Sequence, residues 1–215
     1  INNMVPSVIS IIIEPDDGPE PGVQVYPEYS SDKVVKISAE VSDGNGPNDI
    51  SKVVLEVSGK LPELMGIEDL NETKVRYSWN VVMNPNDVQG LYSVNVTVTD
   101  SLGLSSYNVS EFEYAGLLSI RLSSSSLNFG SLDPESSSVK NITVRNNGNS
   151  VVDVEVSGTN LTNGDKSIPV SNLEFMFNGQ WMKLNSKPEP LDVQIEGGSA
   201  KDLPLKFNAP FGFKA

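Results

Sequence analysis

The sequence contains no cysteine and no histidine. Their absence removes thiol nucleophiles, disulfides, zinc and haem centres, and the side chain most often used as a general base. Basic residues are also scarce: 15 Lys and Arg stand against 28 Asp and Glu, for a net charge of −13. Such a surface disfavours nucleic acid, whose phosphates need basic patches, and it disfavours anionic lipid. No apolar run reaches the length of a membrane span, so no membrane insertion is expected of this segment. Nothing before Ile1 reads as a signal peptide, and the chain is expected to be a mature or excised ectodomain piece; on this point alone a cytoplasmic protein would look the same. Secreted eukaryotic domains often carry disulfides, so a cysteine-free chain favours a bacterial or archaeal source.

What is present alternates. From Gly90 to Asp100, Tyr92, Val94, Val96 and Val98 fall on one face of an extended strand, and Ser93, Asn95, Thr97 and Thr99 on the other. This period of two, rich in β-branched residues, marks a half-buried strand. The same pattern predicts strands at Val8–Ile13, Asp32–Val41, Ile50–Val57, Lys74–Met83 and Leu104–Tyr114, the last with a bulge between Val109 and Phe112. The Pro- and Gly-rich stretch 15–27 is expected to be a loop, and Leu61–Leu70 to hold a short helical turn limited by Pro62 and Gly66. About seven short strands without an amphipathic helix predict an antiparallel sandwich. Hydrophobic residues make up 38 % of the chain, enough for packed cores rather than disorder.

Ala115–Gly116 is the expected joint, dividing the chain into 1–115 and 116–215. Beyond it, Val139–Arg145 and Val152–Val156 flank Asn146-Asn147-Gly148-Asn149, which reads as a hairpin turn. A second hairpin is expected from Leu173–Phe177 and Trp181–Leu184, followed by strands at Leu191–Ile195 and Leu203–Phe207.

The run Gly90-Leu-Tyr-Ser-Val-Asn-Val-Thr-Val-Thr-Asp100-Ser-Leu-Gly103 resembles the end of a PKD-like or related immunoglobulin-like module of prokaryotic surface proteins. Leu127-Asn-Phe-Gly-Ser-Leu-Asp-Pro134, with Lys140-Asn-Ile-Thr-Val-Arg-Asn-Asn-Gly-Asn149, resembles the ASH- or CARDB-like immunoglobulin-like modules of cell-surface proteins, archaeal S-layer-associated ones included. The resemblances imply two tandem immunoglobulin-like β-sandwiches in an extracellular, cell-surface setting. They also imply a closing strand after Leu205-Lys-Phe-Asn-Ala-Pro210, where this chain has only Phe211–Ala215. Either the sequence is a piece of a longer protein, or a strand from a neighbouring chain fills the gap by β-augmentation, with Val8–Ile13 as the candidate donor.

Four residue sets could carry function. Sequons occur at Asn71, Asn95, Asn108, Asn141 and Asn160, and four of the six threonines occupy sequon +2 positions; these are glycosylation sites, or Asn and Thr sharing polar strand faces. Asp43, Asp49, Asp100, Asp16 and Asp17, with Glu14, lie in loops and make calcium the candidate ion, with turn-forming Asp as the alternative. Tyr26, Tyr29 and Trp181 could form a sugar-stacking platform, while Tyr77 and Trp79 belong to a core. For catalysis only carboxylate-pair, Lys or Tyr chemistry remains, and no such arrangement stands out, so no enzyme and no organic cofactor is expected. The expected function is structural: a module pair of an S-layer, sheath or extracellular filament, contacting copies of itself or other surface-layer subunits. The alternative is a glycan- or protein-binding accessory module of a secreted enzyme or adhesin.

Overall fold

The computed structural model describes residues 3–212. The chain divides into two compact units, Ile1–Leu117 and Leu118–Ala215. Among the described residues all regular structure is β, apart from two single-turn 3-10 segments at Pro47–Asp49 and Val170–Asn172.

Unit 1 contains β1 (Ser7–Glu14), β2 (Val23–Val25), β3 (Lys33–Ser42), β4 (Ile50–Val57), β5 (Glu63–Asn71), β6 (Lys74–Met83), β7 (Gly90–Asp100) and β8 (Ser105–Tyr114). They form two four-stranded sheets, ordered β1-β3-β6-β5 and β2-β8-β7-β4. The alternating faces meet between the sheets. Val35, Ile37, Ala39, Val81, Met83, Val94 and Val96 are fully buried there, with Trp79, Phe112 and Tyr114. Each Val, Ile, Met or Phe side chain among them contributes about 1.5–3 kcal/mol by leaving water. Tyr77 stacks on Trp79 and Tyr92 on Phe112, with ring centroids 5.9 and 5.3 Å apart. Tyr114 donates its buried hydroxyl to the Asn84 carbonyl at 3.0 Å, so the ring is buried without orphaning its polar end.

Three expectations change here. Leu61–Leu70 is not helical: Glu63–Asn71 is the edge strand β5, paired with β6. Pro62 and Gly66 disfavour a helix, and the open edge of β6 satisfies the backbone instead. The stretch 15–27 includes β2, which pairs in parallel with β8, Val23 opposite Phe112 and Val25 opposite Tyr114. No bulge interrupts β8, whose register with β7 runs unbroken from Tyr114 to Ser105. Its alternation only looks broken, because the positions sharing a face with Phe112 and Tyr114 near its start are Ser106, Asn108 and Ser110. Two of them hydrogen-bond to the backbone at β1: Ser106 Oγ to Pro6 O and Asn108 Nδ2 to Val8 O.

Unit 2 contains β9 (Ile120–Leu122), β10 (Ser137–Asn146), β11 (Val152–Val156), β12 (Leu161–Asn163), β13 (Lys166–Ile168), β14 (Leu173–Phe177), β15 (Gln180–Lys183), β16 (Glu189–Ile195) and β17 (Ala200–Asn208). A five-stranded sheet runs β15-β14-β17-β10-β9, and β11 pairs only with β16 among the described residues. The core is smaller: Phe175, Leu184 and Leu191, packed by Val154, Val156, Leu203 and Leu205 among others. The β14–β15 hairpin forms as expected, with Asn178 and Gly179 at positive φ in its turn.

Asn146–Asn149 is not a hairpin turn. β10 and β11 do not pair with each other; the chain crosses from the large sheet to the small one. Asn146, fully buried, makes that crossing: its Nδ2 donates to Ser150 O and Ile195 O, and its Oδ1 accepts from Gly148 N–H. The expected closing strand concerns 211–215, of which 213–215 lie outside the described residues. β1, the proposed strand donor, is paired with β3 over Ser7–Glu14 inside its own unit.

Candidate functional site

The candidate site lies where β3, the loop before β4 and the β7–β8 turn meet. β3 ends at Ser42, and Asp43 follows at the start of a tight polar loop. Gly46 N–H donates to Asp43 O, and Asp49 N–H donates to Gly46 O within the 3-10 turn. Gly46 sits at φ 104°, a conformation that glycine adopts without strain. β7 ends in Asp100, whose carbonyl accepts from Gly103 N–H across the next turn. A backbone bond from Ser101 N–H to Asp49 O, 2.7 Å, joins the two loops.

Asp43, Asp49 and Asp100 thereby each bring one carboxylate oxygen within 4.8 Å of the other two. Asp43 and Asp100 are each only 1 % exposed, and Asp49 is half-buried. The three differ in how their oxygens are satisfied. Asp100 Oδ1 accepts from the N–H groups of Leu102 and Leu104, and its Oδ2 from Asn3 Nδ2 at 2.7 Å. Burial works to raise the Asp100 pKa, but the Asn3 and backbone N–H donors outweigh it, and the carboxyl is held below its ordinary value. Asp49 accepts from the Ser101 hydroxyl. Asp43 Oδ1 accepts from Asn45 N–H at 2.7 Å, whereas its Oδ2 is buried with no hydrogen-bond partner among the described residues.

The N-terminal segment closes over this cluster. Asn3 reaches Asp100, Met4 N–H donates to Asn45 Oδ1 at 2.7 Å, and Pro6 O is held by Ser106. Met4 lies so close to Gly44 that a Cβ there would fall 2.3 Å from its sulfur. Beside the carboxylates an open hollow of about 460 Å³ is lined by Asn3, Asn45, Asn48, Asp49, Ser101 and Leu102. Among the described residues, no Lys or Arg forms an ion pair with any of the three carboxylates. This donor set is all oxygen, which suits a hard cation.

Of the other acidic candidates, Asp16 and Asp17 do not join the cluster. Asp16 accepts from Gln24 N–H, and Asp17 accepts from Tyr26 N–H and pairs with Lys33 at 3.1 Å. They hold β2 in place, a structural role that the sequence pattern did not separate from metal ligation. Glu14 ends β1, opposite Lys36 on β3. Of the sequons, Asn71, Asn108, Asn141 and Asn160 are exposed. Asn95 is half-buried, its Nδ2 directed at Glu56 and its Oδ1 buried without a partner among the described residues. Tyr26 and Tyr29 are exposed, at 44 and 58 %. Trp181 is half-buried with Lys206 Nζ 4.6 Å from its ring centroid, so that face is occupied by a cation. Trp79 is in the core of unit 1 and Tyr77 packs against it.

No protein-family model matches this chain, and no curated protein does. Solved structures of partial likeness include the secreted serine protease VesC from Vibrio cholerae, at 9 % identity over 89 % of this chain and 46 % of that one, with a TM-score of 0.29. Dimeric latent PorU from Porphyromonas gingivalis is 16 % identical over 95 % of this chain and 17 % of its own, with a TM-score of 0.30. The titin domains z1z2 in complex with telethonin are 15 % identical over 98 % and 85 %, with a TM-score of 0.29. The chain thus spans less than half the length of the first two. At these scores the likeness carries no argument about function.

Proposed function

We propose that this chain is a non-enzymatic, load-bearing module pair of an extracellular surface assembly such as an S-layer, sheath or filament. The observation that supports the reading most is the path of the chain through unit 1. Pro6, just before β1, sits beside Ser106 at the start of β8, whereas Ala115 follows the far end of β8, its N–H donating to Val25 O of β2. β8 has 10 residues, so entry and exit are separated along the strands by about 30 Å. Tension between them runs along the strands. It shears β1 against β3 and then β2 against β8, so several ladder bonds must fail together instead of one at a time. The order of the two sheets fits an immunoglobulin-like sandwich. Acidity, sequons and the lack of cysteine support a surface location.

Electron microscopy of the protein isolated from its source cells tests assembly. Ordered sheets or filaments are expected, and dispersed monomers across all salt and calcium conditions would count against the reading. Mass spectrometry of the same material should find glycans on exposed sequons such as Asn71 and Asn141, and bare asparagine at every sequon would remove the support for a surface location. A second reading, as a glycan-binding accessory module, is favoured by the exposed pair Tyr26 and Tyr29. Saturable glycan binding lost in Tyr29→Ala would establish it, and a blank glycan array would end it.

A further inference from the structure

We propose that Asp43, Asp49 and Asp100, with the side-chain amides of Asn3 and Asn45, form a calcium site whose occupation fastens the N-terminal segment to the end of unit 1. The inference goes beyond the load-bearing reading and does not depend on it. Its first support is the gathering of three carboxylates within 4.8 Å, two of them 1 % exposed. Like charges at that range repel, and among the described residues no ion pair with Lys or Arg relieves them. Its second support is Asp43 Oδ2, a buried carboxylate oxygen with no hydrogen-bond partner among the described residues. A buried anionic oxygen is costly unless something cationic or a donor meets it. A cation among the three carboxylates answers both conditions.

The chemistry selects calcium. Every donor is a hard oxygen, which disfavours zinc and copper. Calcium accepts 6–8 oxygens in irregular geometry, whereas magnesium demands a near-ideal octahedron. Here two carboxylates come from the β3–β4 loop and one from the end of β7, and the adjoining hollow is lined by Asn3, Asn45, Asn48 and Ser101, whose side chains carry further oxygens. Asn3 now donates its amide N–H to Asp100; turned over, the same amide presents its oxygen to the ion. With Asn3 held by the ion and the Met4 N–H by Asn45 Oδ1, an ion in the cluster ties the N-terminal segment to the β3–β4 loop and the end of β7.

The test is isothermal titration of the calcium-free full chain with calcium chloride, alongside magnesium chloride, together with hydrogen exchange at the Met4 amide. Expected is one saturable site, weaker than micromolar as in extracellular modules, with magnesium at least tenfold weaker and Met4 exchange slowed by calcium. Asp43→Asn should weaken calcium binding at least tenfold while folding normally without metal, since it removes repulsion. Asp49→Asn, at the half-buried position, should do the same and covers the case in which Asp43→Asn fails to fold. Asp16→Asn should leave binding unchanged. No heat up to about 10 mM calcium, ten times the weak limit for such modules, would overturn the site, as would wild-type affinity in Asp49→Asn. Equal magnesium binding would overturn the assignment to calcium, and unchanged Met4 exchange in saturating calcium would overturn the fastening.

Discussion

Asn146 shows how much one polar side chain can decide. It is fully buried at the point where β10 leaves the large sheet of unit 2, and it meets Ser150 O, Ile195 O and Gly148 N–H at once. Asn146→Ala removes all three of these hydrogen bonds at a fully buried position, and should destabilise unit 2 by about 1–3 kcal/mol. The two tryptophans fall one to each unit, so urea unfolding in a Trp79→Phe background, followed by Trp181 fluorescence, measures this directly. An unchanged midpoint would show that the amide is dispensable. Glu174 gives a second prediction. The hydrogen bond from Lys206 holds its carboxyl below the usual range, with burial opposing and Asn208 and Lys183 assisting. A carboxylate whose folded pKa is depressed contributes stability above its unfolded value, near pH 4.3, and loses it as the pH falls through the folded value. Unit 2 should therefore weaken below about pH 5, and Glu174→Gln should flatten that slope. A slope equal to that of the native chain would contradict the assignment.

At the scale of elements, the strands that fill a core do so unequally. Trp79 on β6 is 4 % exposed and stacked by Tyr77, and Trp79→Ala should cost unit 1 about 3–5 kcal/mol. On the edge strand β5, Ile67 is 60 % exposed, and Ile67→Ala should fall within about 0.5 kcal/mol of neutral. Chemical denaturation of the two variants side by side checks the contrast, and comparable losses would mean that β5 is packed rather than peripheral. The same inequality explains what could be read in advance. β3, β6 and β7 bury one face, so their apolar period of two is written in the residues. β5 is exposed almost throughout, and its residues carry no such signal. β2 was hidden because a three-residue parallel strand in a Pro- and Gly-rich stretch depends on a partner more than 80 positions away. The acidic cluster was half legible. Loop Asp residues are visible as types, but only folding separates Asp43, Asp49 and Asp100, which converge, from Asp16 and Asp17, which hold a loop.

For the whole molecule, the proposed role requires unit 1 to be loaded along its strands. Calcium at the entry end would strengthen the point where tension enters, yet the shear geometry stands without it. The absence of native cysteine lets single-molecule handles be placed one residue at a time. Unit 1 alone is loaded when a handle at the N-terminal end is paired with one on Leu117→Cys. A second arrangement pairs Leu117→Cys with Val88→Cys, at a position 77 % exposed just before β7, and peels β8 from β7 one bond at a time. The most direct measurement is the unfolding force in these two pulling directions at one loading rate. A several-fold higher force is expected when unit 1 is pulled through its ends; an equal or lower force in that direction would rule out loading in shear.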